Sequence, residues 1–164
     1  MLKLIRNGYK NIIVPEKLSI AKAEDWPNLI TMKVIEEANE LKVAIQGQDR
    51  EVIIEELADL WEVLELFTCK YASCDKLKLC QVFSRHQTTE LSVELILEKL
   101  KKLVAEFINH QENLTVFTVI DNLAFNYQQL CRLLEIEIDE VKKVKKHKKI
   151  TKGNFTLGLV LCHE

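Results

Sequence analysis

The sequence predicts an all-α bundle, and three observations carry that reading. Four glycines and two prolines among 164 residues leave few breaks in the chain. Apolar residues make up 48%, enough to build a core at this length without disulfide or metal staples. Within long windows those apolar side chains recur at helical spacing rather than alternating.

The elements follow in order. Residues 1–27 are mixed, with a turn signal at Asn7-Gly8 and Pro15 after a short apolar run. Pro27 fits the first turn of a helix, with Asp25 or Trp26 near its cap, and the pattern runs to about Ile45. Gly47 fits the position just past that helix, and Asp49 fits the N-cap of a second helix from Arg50 to about Tyr71. Residues 72–88 are less regular. A third helix is expected over Leu91–Ile108, where Leu95, Leu100, Leu103 and Phe107 keep helical spacing. Asn109–Asn113 reads as a connection and Thr115–Leu134 as a fourth helix. Asp139 is expected to cap a short, lysine-rich fifth helix over Val141–Lys149. Gly153 breaks the pattern before an apolar, extended tail. No internal repeat or low-complexity linker is present, so residues 1–164 read as one domain.

Composition excludes several classes. The formal charge of −2 gives no global pull toward nucleic acid or membrane. No stretch is apolar and long enough to span a bilayer, and no charged n-region precedes an apolar run. A soluble, cytoplasmic protein is expected. The five cysteines form no C-x-x-C pair and the four histidines no H-x-x-x-H pair, so neither a zinc site nor a disulfide framework is expected.

One stretch conflicts with its own pattern: "VIEEANELKVAIQGQDREVIIEELADLWEVL". On a helical wheel, Ile53, Leu57, Leu60, Leu64 and Phe67 form the apolar stripe of the second helix. Glu56 falls inside that arc and Asp59 at its edge, while Glu51, Glu55, Glu62 and Glu65 fall on the far, solvated side. In the first helix Val34, Ala38, Leu41 and Ile45 make the stripe. Glu37 lies within it, Glu40 flanks it and Glu36 turns away.

Two helices joined by a short loop are antiparallel neighbours. About a loop centre at residue 48, Glu40 and Glu56 are equidistant, and so are Glu37 and Asp59. The hairpin therefore sets Glu40 opposite Glu56 and Glu37 opposite Asp59, with the second pair about 4.5 Å further along. Four carboxylates converge on a partly apolar patch. Unpaired ions there cost several kcal/mol. Protonation, Lys or Arg partners such as Lys33, or a divalent cation would relieve that cost. Hard oxygen donors suit Mg²⁺ or Mn²⁺.

The spacing Glu37-x-x-Glu40, then Glu56-x-x-Asp59, within "EEANE" and "EELAD", resembles the metal motif of the all-α nucleoside triphosphate pyrophosphatases, the MazG-like enzymes. "KLIRNGYKNIIV" is similar to the "KLVRDKIPEII" opening of a phosphoribosyl-ATP pyrophosphohydrolase-like subfamily. "EIDEVKKVKKHKKITKGNFTLGLVL" resembles the short helix and K-x-x-x-R-G-G-F that end that subfamily. The resemblance covers roughly residues 1–70 and 119–162. The chain departs from it at Asn7-Gly8, at Lys152-Gly153-Asn154-Phe155, and in a helical insertion expected at about 72–118.

The resemblance implies a MazG-like bundle whose helix hairpin carries the acidic metal site. It implies Mg²⁺-dependent hydrolysis of a nucleoside triphosphate to a monophosphate and pyrophosphate, as in the clearing of non-standard nucleotides. Glu37, Glu40, Glu56 and Asp59 would hold Mg²⁺, with Mn²⁺ as an alternative. Glu36 or an unliganded oxygen of the quartet would orient a water, and Lys33, one turn before Glu37, would meet phosphate charge at the catalytic site. Lys3, Arg6, Lys148, Lys149 and Lys152 are candidates for binding phosphate. Seven lysines fall in residues 142–152, whose other reading is a solvated helix face. Nucleic-acid binding is not expected, since no aromatic residues interleave those lysines. Trp26, Trp61, Tyr9 and Phe155 can stack on a base or belong to the core, and core is the commoner role. Family sites form between subunits, so a homodimer or larger assembly is expected. The competing reading is a catalytically weak nucleotide-binding or protein-interaction module on the same fold.

Overall fold

The computed structural model describes residues 2–8, 18–72, 92–109, 115–155 and 158–162. Five helices dominate: α1 (Trp26–Gly47), α2 (Arg50–Ala72), α3 (Val93–Asn109), α4 (Val116–Leu133) and α5 (Ile138–Lys152). The expected irregular stretch 72–88 falls largely outside the described residues. So do Tyr9, Pro15 and most of the connection after Asn109.

Only Gln48 and Asp49 separate α1 from α2. Gly47 is the last helical residue rather than the first beyond the end. Gln48 takes the left-handed conformation instead (φ 57°), and its N–H donates to the Ile45 carbonyl. Asp49 caps α2 as expected, its carboxylate accepting from the backbone N–H of Glu51 at 3.0 Å and of Val52 at 3.4 Å. The cap of α5 differs from the expectation. Its N-cap is Glu137, whose N–H donates to the Glu140 carboxylate at 3.3 Å, as in a capping box. Asp139 lies inside the helix and pairs with Lys142.

Helix α2 is the centre of the bundle, with α1, α4 and α5 packed against it. From Leu57 to Thr68 only Asp59 and Glu65 are not buried. A helix covered on all sides has no solvated face, and the consequence falls on its acids. Glu62, expected in solvent, is 8% exposed, and Glu65 is half-buried. Helices α3 and α4 pack on each other, and α3 also packs on α1. Phe67, Tyr71 and Phe107 meet with centroids 5.0–5.5 Å apart. The buried Tyr127 hydroxyl donates to the Leu57 carbonyl at 2.7 Å, fixing α4 to α2.

The all-α expectation holds for the bundle but omits a small sheet. Strands β1 (Leu2–Leu4), β2 (Leu18–Ile20) and β3 (Leu159–Cys162) pair antiparallel in the order β1-β3-β2. Leu4 lies opposite Val160, and both side chains are buried. The sheet ties the opening segment to the tail. Just inside it, the Asn7 N–H donates to the Asn154 carbonyl at 2.8 Å, and the Asn154 N–H to the Asn7 side chain at 3.0 Å. Two glycines permit this approach. A Cβ on Gly8 would lie 2.2 Å from the Lys152 carbonyl oxygen. One on Gly153 (φ 76°) would lie 1.7 Å from the Asn7 side-chain oxygen.

Two alanine substitutions separate this junction from ordinary helix propensity. Gly153→Ala meets both a clash and a left-handed φ, and is expected to cost about 1–3 kcal/mol in urea unfolding. Gly47→Ala is helical with open space around its new Cβ, and should raise stability by up to about 1 kcal/mol. An equal response of the two variants would contradict the junction.

Candidate metal centre

The α1–α2 seam brings Glu37, Glu56 and Asp59 together, while Glu40 groups with Glu36 and Glu37. Oxygens of Glu37, Glu56 and Asp59 all lie within 4.8 Å of one another. Glu36, Glu37 and Glu40 offer oxygens within the same span of each other. Glu37 is 2% exposed, Glu56 and Asp59 are half-buried, and Glu40 is exposed at the rim.

Cations from four parts of the chain meet these acids. Lys33 Nζ, one turn before Glu37 on α1, lies 2.6 Å from Glu37 Oε1 and 3.0 Å from Glu36 Oε1. Lys3, on β1, reaches Glu36 at 2.9 Å. Arg6, delivered by the segment after β1, pairs through Nη2 with Asp59 Oδ1 and through Nη1 with Glu62 at 2.5 Å. Arg6 Nη1 also donates to the Gly153 carbonyl at 2.8 Å. Lys148, from α5, reaches Asp59 Oδ2 at 2.7 Å and the Glu55 carbonyl at 3.0 Å. The Phe155 ring lies under both Arg6 and Lys33, at 4.8 and 5.2 Å.

These contacts locate the expected cations and aromatic residues. Arg6 and Lys148 are 5% exposed and engaged with Asp59, so without a cation they act as counter-ions of that acid. Lys33 is likewise held by Glu36 and Glu37. Lys149 is exposed on α5 and does not line the cleft described below. Lys3 and Lys152 face solvent along that cleft. Trp61 and Phe155 are core residues, while the half-buried Trp26 is covered by Lys70 at 3.7 Å. Glu62 is the functional candidate that the wheel misplaced. The nearly continuous apolar run around it, "LADLWEVLELF", is the signal of a helix buried on every side.

The pairing is incomplete. Among the described residues, Glu37 Oε2 and Glu56 Oε2 are buried without a hydrogen-bond partner, and so are both oxygens of Glu62. Among the described residues, no ion pair reaches Glu56. Burial pushes the Glu37 carboxyl up to about 7. Lys33 opposes the rise, while Asp59 and Glu40 add to it. Burial, then Asp59 and Glu40, also raise Glu56. Burial acts against ionised Glu36 as well, yet hydrogen bonds from Lys3 and the charge of Lys33 outweigh it and hold that carboxyl below its ordinary value. Beside the acids lies a cleft of about 390 Å³. Lys3, Arg6, Lys33, Glu36, Glu37, Glu40, Asp59 and Lys152 supply its polar wall, and Leu4, Ile5, Phe155 and Leu161 an apolar one.

The donor set fits a hard divalent cation. Its ligand atoms are all carboxylate oxygens, and two of them are buried with nothing to bond. Glu37, Glu56 and Asp59 can hold such an ion, with Glu40 at the rim.

A pH dependence follows for the cation-free protein. A carboxyl whose folded value is raised binds more protons folded than unfolded between its two pKa values. Its stabilising protonation is complete below its unfolded value of about 4.5 and is lost as pH rises through about 7. Glu56 acts in the same direction. Glu36, held low, loses its contribution only as pH falls below the ordinary carboxylate range. In chelator, calorimetry should therefore show a Tm a few degrees higher at pH 5.5 than at pH 7.5, with the difference reduced in Glu37→Gln. Protons and cation compete for the same oxygens, so Mg²⁺ should stabilise more at pH 7.5 than at pH 5.5. The opposite trends would contradict the cluster's electrostatics.

No family model, curated protein or solved structure matches the chain, which leaves the geometry and chemistry of this site to carry its functional reading.

Proposed function

We propose that this chain is a Mg²⁺-dependent, MazG-like nucleoside triphosphate pyrophosphohydrolase that yields a monophosphate and pyrophosphate, with Mn²⁺ as an alternative cation. The observation that carries this reading is the pair of buried, unbonded oxygens, Glu37 Oε2 and Glu56 Oε2. They lie beside Asp59 at a cleft with cations on its wall. A bound Mg²⁺ supplies charge for phosphate oxygens and lowers the pKa of water at the site.

The chain's own residues divide the remaining work. Lys33 holds Glu37 by one oxygen and so fixes where the other points, which makes it a positioning residue. Glu36 stays ionised between Lys3 and Lys33. A carboxylate held that low orients water by accepting a hydrogen bond and is a poor acceptor of its proton. Lys3 and Lys152 offer charge to a phosphate chain from the open side of the cleft. Leu4, Ile5 and Leu161 offer apolar surface to a sugar or base. The proposal includes a homodimer or larger assembly. In its support, Met32 and Ile35 leave apolar surface exposed on α1 along a groove that Leu2 and Leu29 also line.

A second reading has an observation of its own. Arg6, Lys33 and Lys148 are all committed to carboxylates, which favours a weak nucleotide-binding or interaction module.

A pyrophosphate-release assay over a nucleotide panel, in Mg²⁺, Mn²⁺ and chelator, tests the two. The enzyme reading expects release that chelator stops, that Glu56→Gln abolishes, and that Glu55→Gln leaves near the wild-type rate. Both substitutions remove one charge, but Glu55 is exposed. Equal activity in both would refute the quartet. Cation-dependent nucleotide binding without release would favour the second reading.

A further inference from the structure

Glu62 and Asp59 share one cation unequally. Asp59 has two counter-charges, Arg6 on Oδ1 and Lys148 on Oδ2. Glu62 is 8% exposed, and Arg6 is its one ion-pair partner within 4 Å among the described residues. Its oxygens gain no hydrogen bond of good geometry, so loss of Arg6 would strand a buried charge. The guanidinium lies between the two acids with one nitrogen toward each. The Gly153 carbonyl and the Phe155 ring hold it from the other sides. Arg6 can therefore release Asp59 without leaving its place.

We propose that Glu62 is a positioning residue that retains Arg6 when a divalent cation takes Asp59, leaving the freed Nη2 directed at the cleft as a phosphate-binding donor. This rests on the cation reading above. Arg6 then has two states: a counter-ion of Asp59 without the cation, and a phosphate ligand with it. A planar fork suits the exchange, since each nitrogen bonds independently. Without Glu62, Arg6 has only Asp59 to pair with and competes with the incoming cation for it.

Calorimetric titration with Mn²⁺ alone tests this in a double-mutant cycle: wild type, Glu62→Gln, Arg6→Gln and the double variant. Positioning partners of metal ligands change affinity by about tenfold or more. Glu62→Gln should therefore weaken Mn²⁺ binding about tenfold when Arg6 is present. In the Arg6→Gln background the same change should have little effect, within about twofold, because the competitor is gone. A general loss of negative charge, or a damaged fold, would give the same fold-loss in both backgrounds and would overturn the proposal. So would an unchanged affinity in Glu62→Gln. If Glu62→Gln does not fold by circular dichroism, Glu62→Asp takes its place, and a loss that again depends on Arg6 is expected. Failure of wild type to bind Mn²⁺ would instead overturn the underlying cation reading, and this inference with it.

Discussion

Excess negative charge, most of it buried or half-buried, is the constraint on which the rest of this structure depends. Glu36, Glu37, Glu40, Glu56, Asp59 and Glu62 gather at one seam and meet Lys3, Arg6, Lys33 and Lys148. If all are ionised, two negative charges are left over among these residues. A protein interior does not hold such a surplus cheaply. The raised Glu37 and Glu56 carboxyls express that cost, and a divalent cation would remove it.

The same constraint gives the remote parts of the chain their purpose. The sheet pairs the first strand with the last, and that pairing carries Arg6 to Asp59 and Glu62. Helix α5 crosses α2 so that Lys148 closes the other side of Asp59. Lys145, from the same helix, pairs with Glu65 and lies 5.4 Å from the Trp61 ring. Phe155 supports two of the cations from beneath with one ring. Segments far apart in sequence thus act as the counter-charge of a hairpin that could not bury its acids alone.

The hairpin itself was legible because its signals are local. Helical periodicity, the Asp49 cap and equal distances from residue 48 were enough to bring Glu37, Glu56 and Asp59 together. Glu62 was not legible from a wheel that assumes one buried stripe, because α2 is covered on nearly every side from Leu57 to Thr68. The roles of Arg6 and Lys148 were hidden for another reason. Their partners lie 53 and 89 positions away, a separation that no local pattern encodes. The tail that forms β3 was expected to be extended, but strands of three and four residues are too short for alternation to reveal their pairing into a sheet. In the structure Asn7-Gly8 and Gly153-Asn154 touch although they stand at opposite ends of the sequence.

The central claim is that the surplus oxygens await a cation. Anomalous diffraction from a crystal grown with Mn²⁺ tests it most directly, because manganese scattering marks the ion without reference to activity. The account predicts a peak among the carboxylates of Glu37, Glu56 and Asp59, with ligand distances of about 2.0–2.3 Å, as hard-oxygen coordination requires. A crystal with those carboxylates in place, Arg6 and Lys148 still on Asp59, and no manganese peak among them would contradict it.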